Sequence, residues 1–256
     1  LTGIIGLCAI LWGVAIILFP YAVAASTKPI IADLSLHRIE ITSGFQGTRL
    51  LLFGARNDSG DIVIVVRGPE FDFTVRRKDR VAGMWMNREQ VKFTSLPGYY
   101  LIAASRPLEF LKNQPLLQEL AIGTGNLPFM MLEEIKSSEV DAATLEQFRA
   151  AFIKNRKISG LYGLETADVS FMGETLFKTA LDFPDNLPRG IYTVEIYLFG
   201  DGELRAMQTI PIEVKKSGFD AVIYDLAHQT PGLYGFLAIT LAILGGWTAS
   251  IIFRKK

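Results

Sequence analysis

The chain has one cysteine, Cys8, and two histidines, His37 and His228, in 256 residues. A single thiol closes no intrachain disulfide. Two scattered histidines with no cysteine beside them give none of the usual zinc or copper spacings, so no metal and no cofactor is expected. A Gly-x-Ser-x-Gly elbow is missing, and no thiol other than Cys8 could serve as a nucleophile. Glu133 and Glu134 adjoin, but neighbours in sequence do not make an acid–base pair across a cleft. A hydrolase has no positive support, and a non-enzymatic protein is expected. A basic surplus is also lacking. Residues 26 to 230 carry 23 Lys and Arg against 26 Asp and Glu, a formal charge of −3, which argues against a nucleic-acid partner.

What the chain does have is apolar residues, 50% of the total, with a dense run at each end. In "LTGIIGLCAILWGVAIILFPYAVAAS" an apolar core from Ile4 to Phe19 is followed by Pro20 and by Ala22, Ala24 and Ala25. The pattern over residues 1–25 predicts a signal peptide cut after Ala24 or Ala25, or an N-terminal anchor if it is not cut; the core is shorter than the ~20 residues of a comfortable span. Leu7 stands where a lipoprotein signal wants a small residue before its cysteine. At the other end no charge interrupts Leu233 to Phe253, and Arg254, Lys255 and Lys256 follow at once. At ~1.5 Å per residue such a run covers the ~30 Å hydrocarbon core. A basic helix end stays on the cytoplasmic side. A span at 231–253 with a cytoplasmic tail at 254–256 is therefore expected, the bulk of the chain lying on the periplasmic side of the inner membrane.

Between the two runs, short segments rich in Val, Ile, Leu, Phe and Tyr alternate with turn signals. From residue 26 to 106 these are "RLLLFGAR", "DIVIVVRG", "FDFTVRR", "VKFT" and "YYLIAAS"; from 159 to 216 they are "ADVSFM", "TLFKTALDF", "GIYTVEIYLF" and "LRAMQTIPIEV". Short strands with polar turns predict a mainly β fold of immunoglobulin-like antiparallel sandwich type, as one sandwich or as two lobes at 26–106 and 159–216, two being preferred. In "GIYTVEIYLF" Tyr192, Val194, Ile196 and Leu198 share the face opposite to Ile191, Thr193, Glu195 and Tyr197. The segment 107–158 reads as a helical connector, with Pro115 in a first turn, Ser138 and Asp141 as a capping pair, and Leu145, Phe148 and Phe152 on one helix face. Residues 217–230 read as a juxtamembrane helix with Phe219, Val222, Ile223 and Leu226 on its apolar side. His37, in "LHRIEI", reads as an outward strand residue.

"ITSGFQGTRLLLFG" places three glycines ahead of an apolar run. A phosphate loop would lead into a helix, with Lys and Ser or Thr at fixed offsets; a Gly-x-x-Gly clamp on RNA would join two helices of a basic domain. Thr48 to Phe53 reads as a strand, so Gly44 and Gly47 serve a turn between strands, with Phe45 packed or presented at the bend.

"ADLSLHRIEITSGFQGTRLLLFGA", "MWMNREQVKF", "YYLIAASRPL", "LPRGIYTVEIYLF" and "GGWTASIIFRKK" together resemble the transmembrane protein family of alphaproteobacteria designated Alph_Pro_TM, over nearly the whole chain after the leader. None of these motifs is catalytic. The resemblance implies a partner class, because members of the family are often encoded near anion exporter permeases of the TauE/SafE (sulfite) type. It implies no residue roles.

Two groups of residues stand out as candidate sites. Arg76, Arg77, Arg80 and Arg88 are the densest basic cluster and could hold an oxyanion or a lipid headgroup, although the polar end of a strand accounts for the same residues. Ala238, Ala242, Gly246 and Ser250 recur every fourth residue of the span, a stripe of small side chains of the kind that lets membrane helices approach closely. The expected function is that of a membrane-anchored interaction protein assisting a permease or associating with itself through this helix, the alternative being an anion-binding or sensing module. If the stripe is a contact face, Gly246→Leu lowers recovery of the helix's partner on co-purification from membranes; unchanged recovery removes the contact.

Overall fold

Five consecutive residues, Ile62 to Val66, have no exposed surface, which marks a strand covered on both faces. A computed structural model of the protein describes residues 29–81, 83–111, 114–131, 141–218 and 226–253, with the backbone alone at Asp79, Val81, Trp85, Asn87, Arg88, Ile252 and Phe253. The expectations for residues 1–25, Glu133, Glu134, Ser138, Phe219, Val222, Ile223 and 254–256 lie outside the described residues.

The strands in chain order are β1 (Ile30–Leu34), β2 (Arg38–Ile41), β3 (Thr48–Arg56), β4 (Asp61–Arg67), β5 (Glu70–Val81), β6 (Met84–Pro97), β7 (Tyr100–Ala104), β8 (Met130–Met131), β9 (Ala167–Asp168), β10 (Ser170–Met172), β11 (Leu176–Phe183), β12 (Gly190–Gly200) and β13 (Glu203–Lys216). The longer helices among the described residues are α1 (Gln114–Glu119), α2 (Ala142–Ile158) and α3 (Pro231–Phe253), with a further helical turn at 226–229. One sheet has the order β1-β3-β11-β10, a second β2-β13-β12-β4-β7-β9, and a third β5-β6-β8.

The fold is mainly β, as expected, but the division into lobes at 26–106 and 159–216 is overturned. β3 pairs along its whole length with β11, and β4 pairs with β12, so both large sheets combine strands from the two segments. The buried residues form one cluster that draws on both. A strand such as β4 needs an apolar neighbour on each side, and β12 is the neighbour that residues 26–106 lack. The expected antiparallel pattern also fails at two edges, where β2 runs parallel to β13 and β9 parallel to β7.

Alternation decides which faces meet. Tyr192, Val194, Ile196 and Leu198 are buried on the inner face of the second sheet. Their neighbour on β13, Gln208, reaches across to the first sheet. It accepts from the Ala32 N–H at 2.9 Å and donates to the Ala32 carbonyl at 2.7 Å. Leu50, Leu52, Phe177, Leu181 and Phe183 fill the inner face of the first sheet. Tyr99 stacks on Phe183 at 5.2 Å and meets Tyr192 at 5.7 Å, closing one end of the core. The outer face of the second sheet is covered in turn by the segment around α1, with Leu117, Ile122 and Leu127 buried.

"FDFTVRR" and "VKFT", which read as separate strands, belong to one long hairpin of β5 and β6. α2 lies against it with Phe148 and Phe152 buried; Phe152 packs on Phe73 at 5.1 Å and on Phe129 and Tyr162 at 5.9 and 5.8 Å. The helix starts at Ala142 behind Asp141, which makes no side-chain cap bond. His37 sits in the bend before β2, exposed and paired with Asp33 at 2.9 Å. The glycine stretch is the turn from β2 to β3: Gly47 takes φ 89°, and a Cβ there would stand 2.6 Å from the Phe183 carbonyl oxygen, so both conformation and space require glycine.

A chain ending at residue 106 keeps β1 to β7 and loses β11, β12 and β13. It is expected to show no cooperative thermal transition by near-ultraviolet circular dichroism; a cooperative melt would restore the independent lobe.

Candidate functional site

Of the four arginines singled out in the sequence, Arg76, Arg77 and Arg80 are strung along β5 and find separate partners. Neighbouring strand residues lie ~3.4 Å apart, so Arg76 and Arg80 are separated by roughly 14 Å along β5. Arg76 donates to the Gln90 side chain at 3.3 Å; Arg77 pairs with Glu89 at 3.4 Å and reaches Gln147 of α2 at 3.4 Å. The Arg80 guanidinium donates to the Gly83 carbonyl at 3.4 Å. The Arg88 side chain lies outside the described residues. Arg76 and Arg77 border a common groove, about 200 Å³, with Val75, Gln147, Phe148 and Ala151. The small residues Ala238, Ala242, Gly246 and Ser250 lie on α3, each exposed, and no described atom comes within 4 Å of a Cβ built on Gly246.

Two polar constellations were not anticipated. The first lies on the outer face of the second sheet, where Arg67 of β4 and Glu195 of β12 pair at 3.2 Å with about a fifth of each side chain exposed. Tyr197 donates to the same carboxylate at 2.9 Å, and Arg67 also donates to the Leu120 and Ala121 carbonyls at 2.8 and 3.3 Å. Tyr100 donates to Ala121 at 2.9 Å and accepts from the Gly123 N–H at 3.0 Å. These bonds pin the chain after α1 onto the sheet, at a bend where Ala121 takes φ 50°. The constellation is structural, because its donors and acceptors are spent on one another.

The second is a cavity of about 400 Å³ at one end of the sandwich, built from the β3–β4 turn, the end of β7 and the β12–β13 turn. Three arginines from these separate places border it: Arg56, Arg106 and Arg205. Arg106 pairs with Asp61 at 2.7 Å, and Arg205 with Asp201. Arg56 gives its donors to the Glu174 and Gly60 carbonyls and lies over the Phe171 ring, 4.1 Å from its centroid. Two carboxylates thus face three guanidiniums, which leaves one positive charge uncompensated beside an aromatic face. Such a site can hold a small anion. The sequence offered no signal for it, since its arginines are isolated and 50 to about 100 positions apart. Among the described residues, no group of three or more His, Cys, Asp and Glu could hold a metal ion.

Arg156 ties α2 to the strands beneath it. Its guanidinium lies 4.4 Å from the Phe73 centroid and donates to the Gly98 carbonyl at 3.1 Å. Burial lowers its pKa from the ordinary arginine value.

A β-sandwich with a separate C-terminal helix long and apolar enough to cross a membrane defines a class, that of a membrane-associated β protein. The model of the family described as "Putative transmembrane protein (Alph_Pro_TM)" matches residues 29–255, and the chain belongs to that family. A comparison with curated protein sequences found no match.

Burial raises the phenol of Tyr100 to about 12, and raises those of Tyr99, Tyr162, Tyr192 and Tyr197 as well. An unfolded tyrosine titrates near 10. Above that pH the unfolded chain has released protons that the native chain keeps, so stability is full below pH ~10 and falls as pH rises towards 12. The melting temperature should therefore drop steeply between pH 10 and 12, with tyrosinate absorbance appearing together with unfolding; tyrosinate appearing in the folded protein near pH 10 would contradict the burial of these rings.

Proposed function

We propose that the protein is a non-enzymatic interaction protein, held by its C-terminal helix on the periplasmic face of the inner membrane, where it assists an integral membrane transporter. The observation that carries this reading is the outer face of the first sheet. Ile31, Leu51, Phe53 and Leu176 are each about half exposed there, and they fall in adjacent rows: Ile31 registers with Ala55, which registers with Leu176, and Leu51 registers with Ala180. Phe53 stands in the row between them, flanked by Asp33 and Lys178, and exposed apolar side chains gathered on one sheet face among polar ones mark a partner surface. The orientation follows from Arg254, Lys255 and Lys256 behind the span. A permease of the TauE/SafE type is the partner class that the family resemblance suggests, with self-association through α3 as the other route.

A second reading, an anion-binding module, is favoured by the cavity at Arg56, Arg106 and Arg205. It moves the anion from the cluster of Arg76, Arg77, Arg80 and Arg88, of which the first three find separate partners along β5, to arginines that border one cavity.

A photoreactive residue in place of Phe53, introduced into the full chain in membranes, is expected to crosslink to an integral membrane protein, and Leu51→Asp to abolish the adduct. Absence of any protein adduct overturns the interaction reading.

A further inference from the structure

The β5–β6 hairpin outruns the structure that supports it. Its inner part is covered by α2, through Phe73 and Phe152, and by β8, which pairs with Phe93 and Thr94. Beyond Arg77 the two strands register with each other, from Lys78 opposite Asn87 to Val81 opposite Met84. The turn is made at Gly83, at φ 87°, with no described atom within 4 Å of its Cβ position. Met84 and Met86 are 65% and 51% exposed. The sequence sharpens the pattern: no charge falls between Arg80 and Arg88, Trp85 lies between the two methionines, and Arg76, Arg77, Lys78, Arg80 and Arg88 flank the turn against two acids, Asp79 and Glu89, the latter paired with Arg77 at 3.4 Å.

An apolar tip behind a basic collar is complementary to one kind of surface, an apolar layer beneath a sheet of negative charge. We propose that the tip of this hairpin inserts into the headgroup region of the membrane that carries the protein, with its collar on anionic phospholipid. The depth is set by geometry. From Arg80 to Gly83 the strand rises roughly 10 Å, which matches the ~5–10 Å to which interfacial elements bury their apolar side. It cannot go deeper, because the hairpin's outer backbone edges would lose water without gaining partners. Lys and Arg at the level of the phosphates are attracted by anionic lipid, and aromatic and thioether side chains suit the boundary below.

Chain length permits the contact. Nine residues, 217–225, separate Lys216, the end of β13, from the helical turn at 226–229, a length that can reach up to ~30 Å. The proposal rests on membrane anchorage and not on the transporter partner.

The test uses the full chain with Cys8→Ser and Met84→Cys, labelled at residue 84 with an environment-sensitive fluorophore. It is reconstituted into vesicles of phosphatidylcholine with or without phosphatidylglycerol. Nitroxides placed at shallow acyl depth should quench the label in the anionic vesicles. Quenching should fall about twofold or more in high salt and in a variant carrying Arg76→Glu, Lys78→Glu and Arg80→Glu. The same label on Asp58→Cys, in the β3–β4 turn, gives the reference for a position on the body. Quenching at residue 84 no greater than at residue 58, or equal in neutral and anionic vesicles, overturns the proposal. So does a blue shift without nitroxide quenching, which would mean that protein covers the tip. Loss of the Phe53 crosslink with quenching intact would sink the transporter partner and leave the hairpin contact standing.

Discussion

The pairing of β4 with β12 is the contact on which the rest of the molecule depends. Ile62 to Val66 and Tyr192, Val194, Ile196 and Leu198 meet there with no exposed surface. Burying a side chain of this size contributes about 1.5–3 kcal/mol. The five residues of β4 alone therefore supply a gross gain of about 10 kcal/mol, comparable to the net stability of a whole domain. Each other layer is placed by this pair. Its inner face receives the first sheet, with Gln208 bonded to the Ala32 backbone, and its outer face carries Arg67 and Glu195, which hold the chain after α1. The cavity bordered by Arg56, Arg106 and Arg205 is the end of the same stack, where the turns around β4 and β12 leave a gap.

The parts of this arrangement that depend on local pattern were legible in the sequence. Alternation in "GIYTVEIYLF" separated the two faces of β12, and Leu145, Phe148 and Phe152 were placed together on one face of α2, where Phe148 and Phe152 are buried. The glycines before β3 were read as a turn for the right reason, since Gly47 has neither the conformation nor the space for a side chain. What could not be read was partner choice. β3 and β11 carry no mark that assigns them to each other, and strands of similar composition could as well have closed into two small lobes. The hairpin was also concealed, because the charged stretch between "FDFTVRR" and "VKFT" looks like a loop until the cross-strand register is known.

The candidate sites divide along the same line. A run of arginines is conspicuous in a sequence, but on a strand it is drawn out over many ångströms and its members find separate partners in Gln90, Glu89 and the Gly83 carbonyl. The arginines that do come together are single residues from three turns, and only the sandwich brings them within reach of one cavity. The small-residue stripe on α3 is a matter of helical spacing, which a sequence displays directly; what packs on it depends on a second chain.

The crossed connectivity also imposes an order in time. β3 ends at Arg56 and its partner β11 begins at Leu176, so about 120 residues must be made before the first can pair with the second. At the ~5–20 residues per second of protein synthesis, β3 waits some 6 to 24 seconds for β11, with β1 as its neighbour on the other edge. Throughout that interval Leu50, Leu52 and Ile62 to Val66 present strand surface to any other chain nearby. Folding therefore closes only when β12 and β13 appear, fourteen residues ahead of the apolar helix.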